Sequence, residues 1–256
     1  MENQEYTQEV LDGTAQTMIV REAPALKKIE KRRIGFFTGE EQHAITLEEG
    51  IELTRNYRKS AKKDAPLGAY FGQEIFGKIL GQRTCVGIRI YYAKKADGTS
   101  TLVLTGAQTN NEDLYQGILG QEARLSSPWS PVPSPLNSDS WKKAASAKRS
   151  TKVFTGKENH YVTLAEASQL TRSYRETIEQ GDIKGAFFGA GIFRKILLQD
   201  GCVGIHIYHG IHNDGSPTFV MVGVDEYGFD ILSGTVAQNA FPCPPWCFPQ
   251  GPLNKQ

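Results

Sequence analysis

Two stretches of nearly the same text decide the fold: "CVGIRIYYAKK" at residues 85–95 and "CVGIHIYHGIH" at residues 202–212. They lie inside longer segments, 37–121 and 154–238, which align without a gap and are identical at well over a third of their positions. Similarity at this level along a constant offset is typical of an internal repeat. The chain is therefore interpreted as a tandem duplication.

The duplication divides the chain into five segments. They are an N-terminal arm at 1–30, repeat 1 at 31–121, a Pro/Ser-rich linker at 122–147, repeat 2 at 148–240 and a Cys/Pro-rich C-terminal tail at 241–256. The period is too long for a solenoid unit. We therefore expect two complete domains that pack as a pseudo-twofold pair, as the subunits of a fused homodimer would.

Each repeat carries a capping box, "TLEE" or "TLAE", ahead of a helical pattern. In this motif the threonine side chain accepts from the N3 amide, and the glutamate reaches back to the cap. The capping residues are Thr46 with Glu49 and Thr163 with Glu166. The apolar spacing that follows predicts an amphipathic helix, which in repeat 1 ends near Ala61.

The remainder of each repeat predicts one more helix and a hairpin. "GAYFGQEIFGKILGQ", from Gly68, has the spacing of a second, more buried helix. The alternating text of 85–95 and the run "TLVLTGA" from Thr101 predict a β-hairpin across Asp97-Gly98. The order α-α-β-β predicts an α+β fold of two tandem homologous domains, with small antiparallel sheets covered by helices.

Composition limits the partners and the compartment. The chain has 256 residues, 39% apolar residues and a formal net charge of +1, so no overall field attracts nucleic acid or an anionic membrane. No segment has the length and apolar character of a membrane span, and the polar N-terminus lacks a secretory signal. Four cysteines favour reduced thiols. We expect a cytoplasmic protein without a membrane or nucleic-acid partner.

Three histidines in repeat 2, His206, His209 and His212, raise the question of a metal site. On a strand, the first and third share a face and the second points to the other face. Repeat 1 has Arg, Tyr and Lys at the equivalent positions. We therefore predict that the three histidines do not bind one metal ion together.

The tail contains "FPCPPWCFP", in which Cys243 and Cys247 are separated by Pro-Pro-Trp. Zinc sites accept this spacing, but no second pair of ligands accompanies it. A redox pair normally has two intervening residues at a helix start, which the prolines oppose. A structural clasp is favoured over either chemistry, and we expect no cofactor. Cys85 and Cys202, at the start of equivalent strands, are interpreted as inert core thiols.

Arginines occupy equivalent positions on the first helix of each repeat, in "LTRNYR" and "LTRSYR". They are Arg55, Arg58, Arg172 and Arg175. Guanidinium groups suit carboxylate or phosphate, so the four are candidate ligand-binding residues. Because Arg58 falls within the apolar stripe, a structural role is favoured over a ligand site.

The strings "GCVGIHIY", "FVMVGVDEYGFDI" and "CPPWC", between Thr163 and Cys247, resemble an uncharacterised family of mostly single-unit proteins from Bacteroidota-type bacteria. Repeat 1 departs from this pattern because it lacks the CPPWC motif and the Val-Asp-Glu text. The resemblance implies a domain unit and a bacterial source. It implies no activity and no catalytic residue.

The sequence contains no phosphate loop, nucleophile elbow or paired-acid signature. It favours a non-enzymatic structural protein, without catalytic residues, that self-associates into an ordered homo-oligomer, filament or lattice. The alternative is a small-ligand or peptide-binding module that uses the groove between the repeats. A metal or redox protein acting through Cys243 and Cys247 is the third hypothesis.

Overall fold

The molecule is described from a computed structural model. The described residues are 37–63, 65–121, 124–125, 132–144, 153–247 and 251–255. The N-terminal arm, 1–30, lies outside them, and so do parts of the linker and the tail. Among the described residues, no helix combines the length and the apolar character that crossing a membrane requires.

Helices and antiparallel strands alternate along both repeats, which confirms the α+β class. Repeat 1 and the linker contain β1 (Ala44–Ile45), α1 (Leu47–Ser60), β2 (Gly68–Gly72), α2 (Gln73–Leu80), β3 (Gly87–Lys94), β4 (Ser100–Ala107), β5 (Leu119–Gln121), β6 (Arg124–Leu125) and α3 (Trp141–Ala144). Repeat 2 and the tail contain α4 (Leu164–Arg175), β7 (Gly185–Gly189), α5 (Ala190–Leu197), β8 (Cys202–Ile211), β9 (Pro217–Asp225), β10 (Val236–Ala237) and β11 (Phe241–Cys243).

The predicted first helix and the predicted hairpin of repeat 1 are confirmed. Helix α1 ends at Ser60, and β3 pairs with β4 around a turn in which Gly98 has a φ of 82°. The second helix is shorter than predicted. The texts "GAYFG" and "GAFFG" form strands β2 and β7, because both of their faces are buried and their aromatic residues suit a strand.

The two repeats exchange one strand each. The strand order is β1-β10-β9-β8-β2-β6 in one sheet and β11-β7-β3-β4-β5 in the other. Strand β2 pairs with β8, with Tyr70 opposite His206, and β7 pairs with β3, with Phe187 opposite Arg89. Each sheet therefore contains strands of both repeats, which differs from the expected pair of self-contained domains. Residues 37–256 form one compact unit.

Glycine is required where the exchanged strands meet. A Cβ atom at Gly87 would collide with the carbonyl oxygen of Phe188, and one at Gly204 would collide with that of Phe71. Both glycines sit in pairs whose partner on the exchanged strand is also glycine. Their identity across the repeats therefore reflects close backbone approach.

The principal core lies between the two sheets. Ile88 and Ile90 of one sheet share it with Ile205 and Ile207 of the other. Helices α2 and α5 also enter this core, where Phe76 and Phe193 stack with ring centroids 5.4 Å apart. Each sheet packs its other face on one helix: α1 of repeat 1 covers β8 and β9 of repeat 2, and α4 covers β3 and β4.

The described parts of the linker and the tail pack on the rest of the described chain. Strand β6 pairs with β2, and β11 pairs with β7, so both extend the exchanged strands. Leu136 and Leu253 are buried under α1 and α4 respectively. Both lie in a Pro-Leu-Asn text, at 135–137 and 252–254. These two leucines thus hold equivalent places under α1 and α4, in segments that we expected to be a linker and a separate tail.

Candidate functional site

The capping residues form the predicted motifs. Thr46 accepts from the Glu49 amide at 3.2 Å, and its own amide donates to the Glu49 carboxylate at 2.7 Å. Thr163 and Glu166 make the same reciprocal pair. Hydrogen bonds from the threonine backbone and side chain lower the pKa of both carboxyl groups. These four residues stabilise helix starts, as predicted.

The candidate arginines have structural partners. The Arg58 guanidinium donates to the Leu136 carbonyl at 2.7 Å, and Arg175 donates to the Leu253 carbonyl at 2.5 Å. Arg58 also pairs with Asp139 at 2.8 Å. The two guanidinium groups, at equivalent positions of the repeats, thus hold the Pro-Leu-Asn segments against α1 and α4. This is the structural role that the apolar stripe favoured.

The outer arginine of each pair is more accessible. Arg55 pairs with Asp139 at 3.3 Å, and its side chain is 47% exposed. Arg172 is exposed on α4, which covers the other sheet. Arg55 and Arg172 therefore share no partner in the described residues, and the structure does not assemble the four arginines into one anion site.

Cys243 and Cys247 form a disulfide with their Cα atoms 5.2 Å apart. The expectation of four reduced thiols is wrong for this pair. In this form neither sulfur offers a thiolate to a metal ion, because each is bonded to the other. In the described residues, no group of three His, Cys, Asp or Glu side chains is placed to hold a metal ion. The bridge closes a short loop that positions Trp246.

Cys85 and Cys202 are free thiols in equivalent places. Each sulfur lies 3.2 Å from the carbonyl oxygen of the residue two positions on, Gly87 or Gly204. Burial raises the pKa of both thiols. A raised pKa disfavours the nucleophilic thiolate, which agrees with the interpretation as core residues.

The three histidines of repeat 2 have separate environments. His206 Nδ1 lies 2.7 Å from the Asp230 carboxylate. His209 packs between Tyr57 and Tyr92, and burial lowers its pKa to about 4. His212 Nε2 lies 3.2 Å from the amide nitrogen of Gln238.

His206 belongs to a buried polar cluster that sequence reasoning missed. The hydroxyl group of Tyr208 donates to the Asp230 carboxylate at 2.9 Å, and that of Ser134 donates to it as well. His206 Nδ1 contacts the same carboxylate. The side chains of His206 and Asp230 are 3% and 2% exposed. The hydroxyl of Ser134 and the ring of His206 both contact the aspartate, so they do not form a nucleophile and base pair.

Repeat 1 has the equivalent cluster. Arg89, fully buried, forms an ion pair with Asp113, which also accepts from Tyr91 at 2.6 Å. Arg89 donates further to the carbonyls of Asn111 at 3.2 Å and Trp246 at 3.1 Å. Burial by itself lowers the pKa of Arg89, but the interactions with Asp113 and Tyr91 together outweigh this effect and raise it. The signal in the sequence was a Tyr and an Asp identical at aligned positions of both repeats.

A second pair of shared residues, His43 and His160, joins the repeats. His43 Nε2 accepts from the Gly189 amide at 2.9 Å, and His160 Nε2 accepts from the Gly72 amide at 2.9 Å. Each Nδ1 lies within 3.1 Å of a backbone carbonyl oxygen, so it carries the proton. Both rings are therefore neutral, and burial lowers the pKa of each.

An open cleft lies at one boundary between the repeats. Ile45, Glu49, Glu52 and Leu53 of repeat 1 form one side of it, and His212, Asn213, Gln238 and Asn239 of repeat 2 form the other. Its volume is about 240 Å³. A second open depression, of about 520 Å³, adjoins it along α1, and both include Glu52. Sequence reasoning anticipated a groove between the repeats, but not these residues.

No family model, curated protein or solved structure matches the chain. The resemblance to an uncharacterised bacterial family therefore stays a prediction. Among the described residues, several polar side chains shared by the repeats make structural contacts, and the cleft offers side chains to a partner.

Proposed function

We propose that the protein is a non-enzymatic structural protein that self-associates into an ordered homo-oligomer, filament or lattice. One observation carries this proposal: the residues shared by the repeats hold the repeats to each other. His43 and His160 cross between them, and β2 and β7 are exchanged.

The proposal includes a pseudo-twofold relation between the repeats. Equivalent contacts support it: Phe187 stacks on Phe37 with centroids 3.6 Å apart, and Tyr70 stacks on Phe154 at 3.7 Å. Each stack joins the exchanged strand of one repeat to the entry segment of the other. This is the arrangement of a strand-exchanged homodimer whose subunits became one chain.

Self-association would depend on the N-terminal arm, which lies outside the described residues. Among the described residues, the large apolar side chains that are exposed are Tyr161, at 48%, and Leu198, at 84%. The edge strands of both sheets have two or three residues, too few to template extended edge pairing. The arm supplies apolar residues in its sequence, including Val10, Leu11 and Ile19.

A cytoplasmic location remains part of the proposal, with itself as the partner and no nucleic acid. The disulfide between Cys243 and Cys247 weighs against that compartment, because stable disulfides are rare in a reducing cytosol. Measuring the oxidation state of these two residues in protein purified under thiol-blocking conditions tests the assignment. A reduced pair is expected for a cytoplasmic protein.

Electron microscopy and light scattering of the purified chain test self-association. We expect regular oligomers or polymers from the full-length protein, and monomers that retain the native circular dichroism spectrum after deletion of residues 2–25. A full-length protein that is monomeric at high concentration, or a deletion variant that assembles normally, would contradict the proposal.

A small-ligand or peptide-binding module is the second candidate. The cleft between Glu52 and Gln238 favours it, because it opens at the boundary between the repeats and has polar side chains on both sides. Its volume, about 240 Å³, lies below the range typical of drug-sized ligands. A single side chain or a small molecule would fit. The redox hypothesis at Cys243 and Cys247 has no comparable support.

A further inference from the structure

We propose that the cleft between α1 and the end of the β8–β9 hairpin binds a primary ammonium group on an aliphatic chain. This inference deepens the second candidate function and does not depend on self-association. The ligand class includes a lysine side chain of a peptide and a free alkyl amine. The cleft has the charge, the acceptors and the apolar wall that such a group requires.

The charge of the cleft is negative. Glu49 is ionised, because hydrogen bonds from Thr46 lower the pKa of its carboxyl group. Glu52 accepts from the Asn213 side chain at 3.2 Å through Oε1, and within the described residues Oε2 accepts no hydrogen bond. Two carboxylates on successive turns of α1 thus face a cleft in which His212 is the basic group.

A buried acceptor faces the same space. Gln238 is 5% exposed, and its amide nitrogen donates to Thr218 Oγ1 at 2.9 Å and lies beside His212. Its Oε1 atom has no hydrogen-bond partner in the part of the chain that the structure describes, and it is not among the fully enclosed atoms. Gln238 lines the cleft, so a buried side chain there whose acceptor has no partner among the described residues is suited to an N–H donor.

The remaining wall is apolar. Ile45 and Leu53 line the cleft beside the two carboxylates. Their aliphatic surface suits the methylene stem that carries an ammonium group, because lysine-like chains bury the stem and direct the charge to polar partners. A carboxylate or phosphate ligand would face repulsion from Glu49 and Glu52 instead.

The equivalent position on the other repeat boundary is built differently. Gln169 replaces Glu52, and Lys95 replaces His212. At the same offset Glu122 replaces Asn239, so that boundary keeps two carboxylates but gains the positive charge of Lys95 and is formally less negative by one unit. The chain therefore supplies its own matched comparison.

The test is an NMR titration of the full-length protein with three probes. They are a blocked Gly-Lys-Gly peptide, the same peptide with norleucine in place of lysine, and 1,5-diaminopentane. We expect the lysine peptide and the diamine to shift the backbone amides of residues 45, 53, 212 and 238, and the norleucine peptide to leave them in place. The shifts should weaken severalfold when the ionic strength rises from about 0.02 M to about 0.2 M.

Two variants identify the groups responsible. Glu52→Gln should weaken binding of the lysine peptide about threefold to fivefold, as expected for one partly exposed charge pair. The matched control Glu176→Gln, on the exposed end of α4, should bind as the parent does. Both substitutions are at exposed positions, Glu52 on α1 and Glu176 at the C-cap of α4, and an unchanged amide spectrum away from the site verifies folding.

The outcomes separate the inference from the function on which it rests. Equal shifts with the lysine and norleucine peptides, or unchanged binding by Glu52→Gln, would overturn the ammonium assignment and leave the cleft a binding site. The absence of shifts with every probe would reject both. Binding of the peptide without the diamine, or of both, supports the assignment and identifies which source the cleft accepts.

Discussion

Replacing Asp113 by asparagine tests whether the buried ion pair between Arg89 and Asp113 stabilises the fold. The substitution keeps the shape of the side chain and removes the charge that pairs with Arg89. Arg89 is fully buried and cannot lose its proton, so it stays charged without a counter-ion. Breaking a buried pair in this way typically costs about 3–5 kcal/mol of unfolding free energy. The carbonyls of Asn111 and Trp246 offset part of this cost.

The equivalent change in repeat 2 provides the comparison. Asp230→Asn removes the partner of His206, but an imidazole can exist as a neutral ring, so no charge is left uncompensated. Its expected cost is that of impaired hydrogen bonds, about 1–3 kcal/mol. We therefore expect Asp113→Asn to be the more destabilising variant by about 2 kcal/mol.

Urea denaturation of both variants and the parent at pH 7 measures how much unfolding free energy each variant loses. The comparison requires that the unfolding free energy depend on urea with the same slope in all three proteins. The double variant Arg89→His with Asp113→Asn should recover most of the difference, because it gives the first cluster the same pair of side chains that Asp230→Asn gives the second. If Asp230→Asn is as destabilising as Asp113→Asn, or if the double variant recovers nothing, the charge argument is refuted.

Two further predictions concern stability. His43, His160 and His209 have pKa values lowered by burial, so the unfolded chain binds protons that the native state excludes, and stability is lost as pH falls below 6.5. With a pKa of about 4, His209 alone should lower the unfolding free energy by about 2 kcal/mol between pH 7 and pH 5; a flat urea midpoint over this range would contradict it. Thr163→Ala should lower the unfolding free energy by about 1 kcal/mol in the same assay, and Thr46→Ala is the equivalent change in repeat 1. A loss smaller than the error of the measurement at both sites would reject the role of the capping boxes.

Several predictions about site residues depended on which residues lie close together in the folded chain. The spacing of residues along the sequence does not determine this. The Cys-x3-Cys text permitted zinc, redox or structural readings, and the short distance between Cys243 and Cys247 selects the disulfide. The arginine pattern located Arg58 and Arg175 on equivalent helical faces but not their carbonyl partners, which are 78 residues away in each case. The cleft combines residues from both repeats, so neither repeat alone predicts it.

The sequence by itself determined the capped helices, the hairpins and the α+β class. These features depend on hydrogen bonds and periodicities among residues a few positions apart, so the amino-acid text contains them. The partner of each inserted strand was decided only by tertiary structure. Because "GAYFG" and "GAFFG" are nearly identical, either one matches either hairpin locally, and the choice between Tyr70 opposite Arg89 and Tyr70 opposite His206 depends on how the whole chain closes. Burying both sheets around one shared core favours the exchanged arrangement, and this long-range packing decides which residues of the two repeats meet.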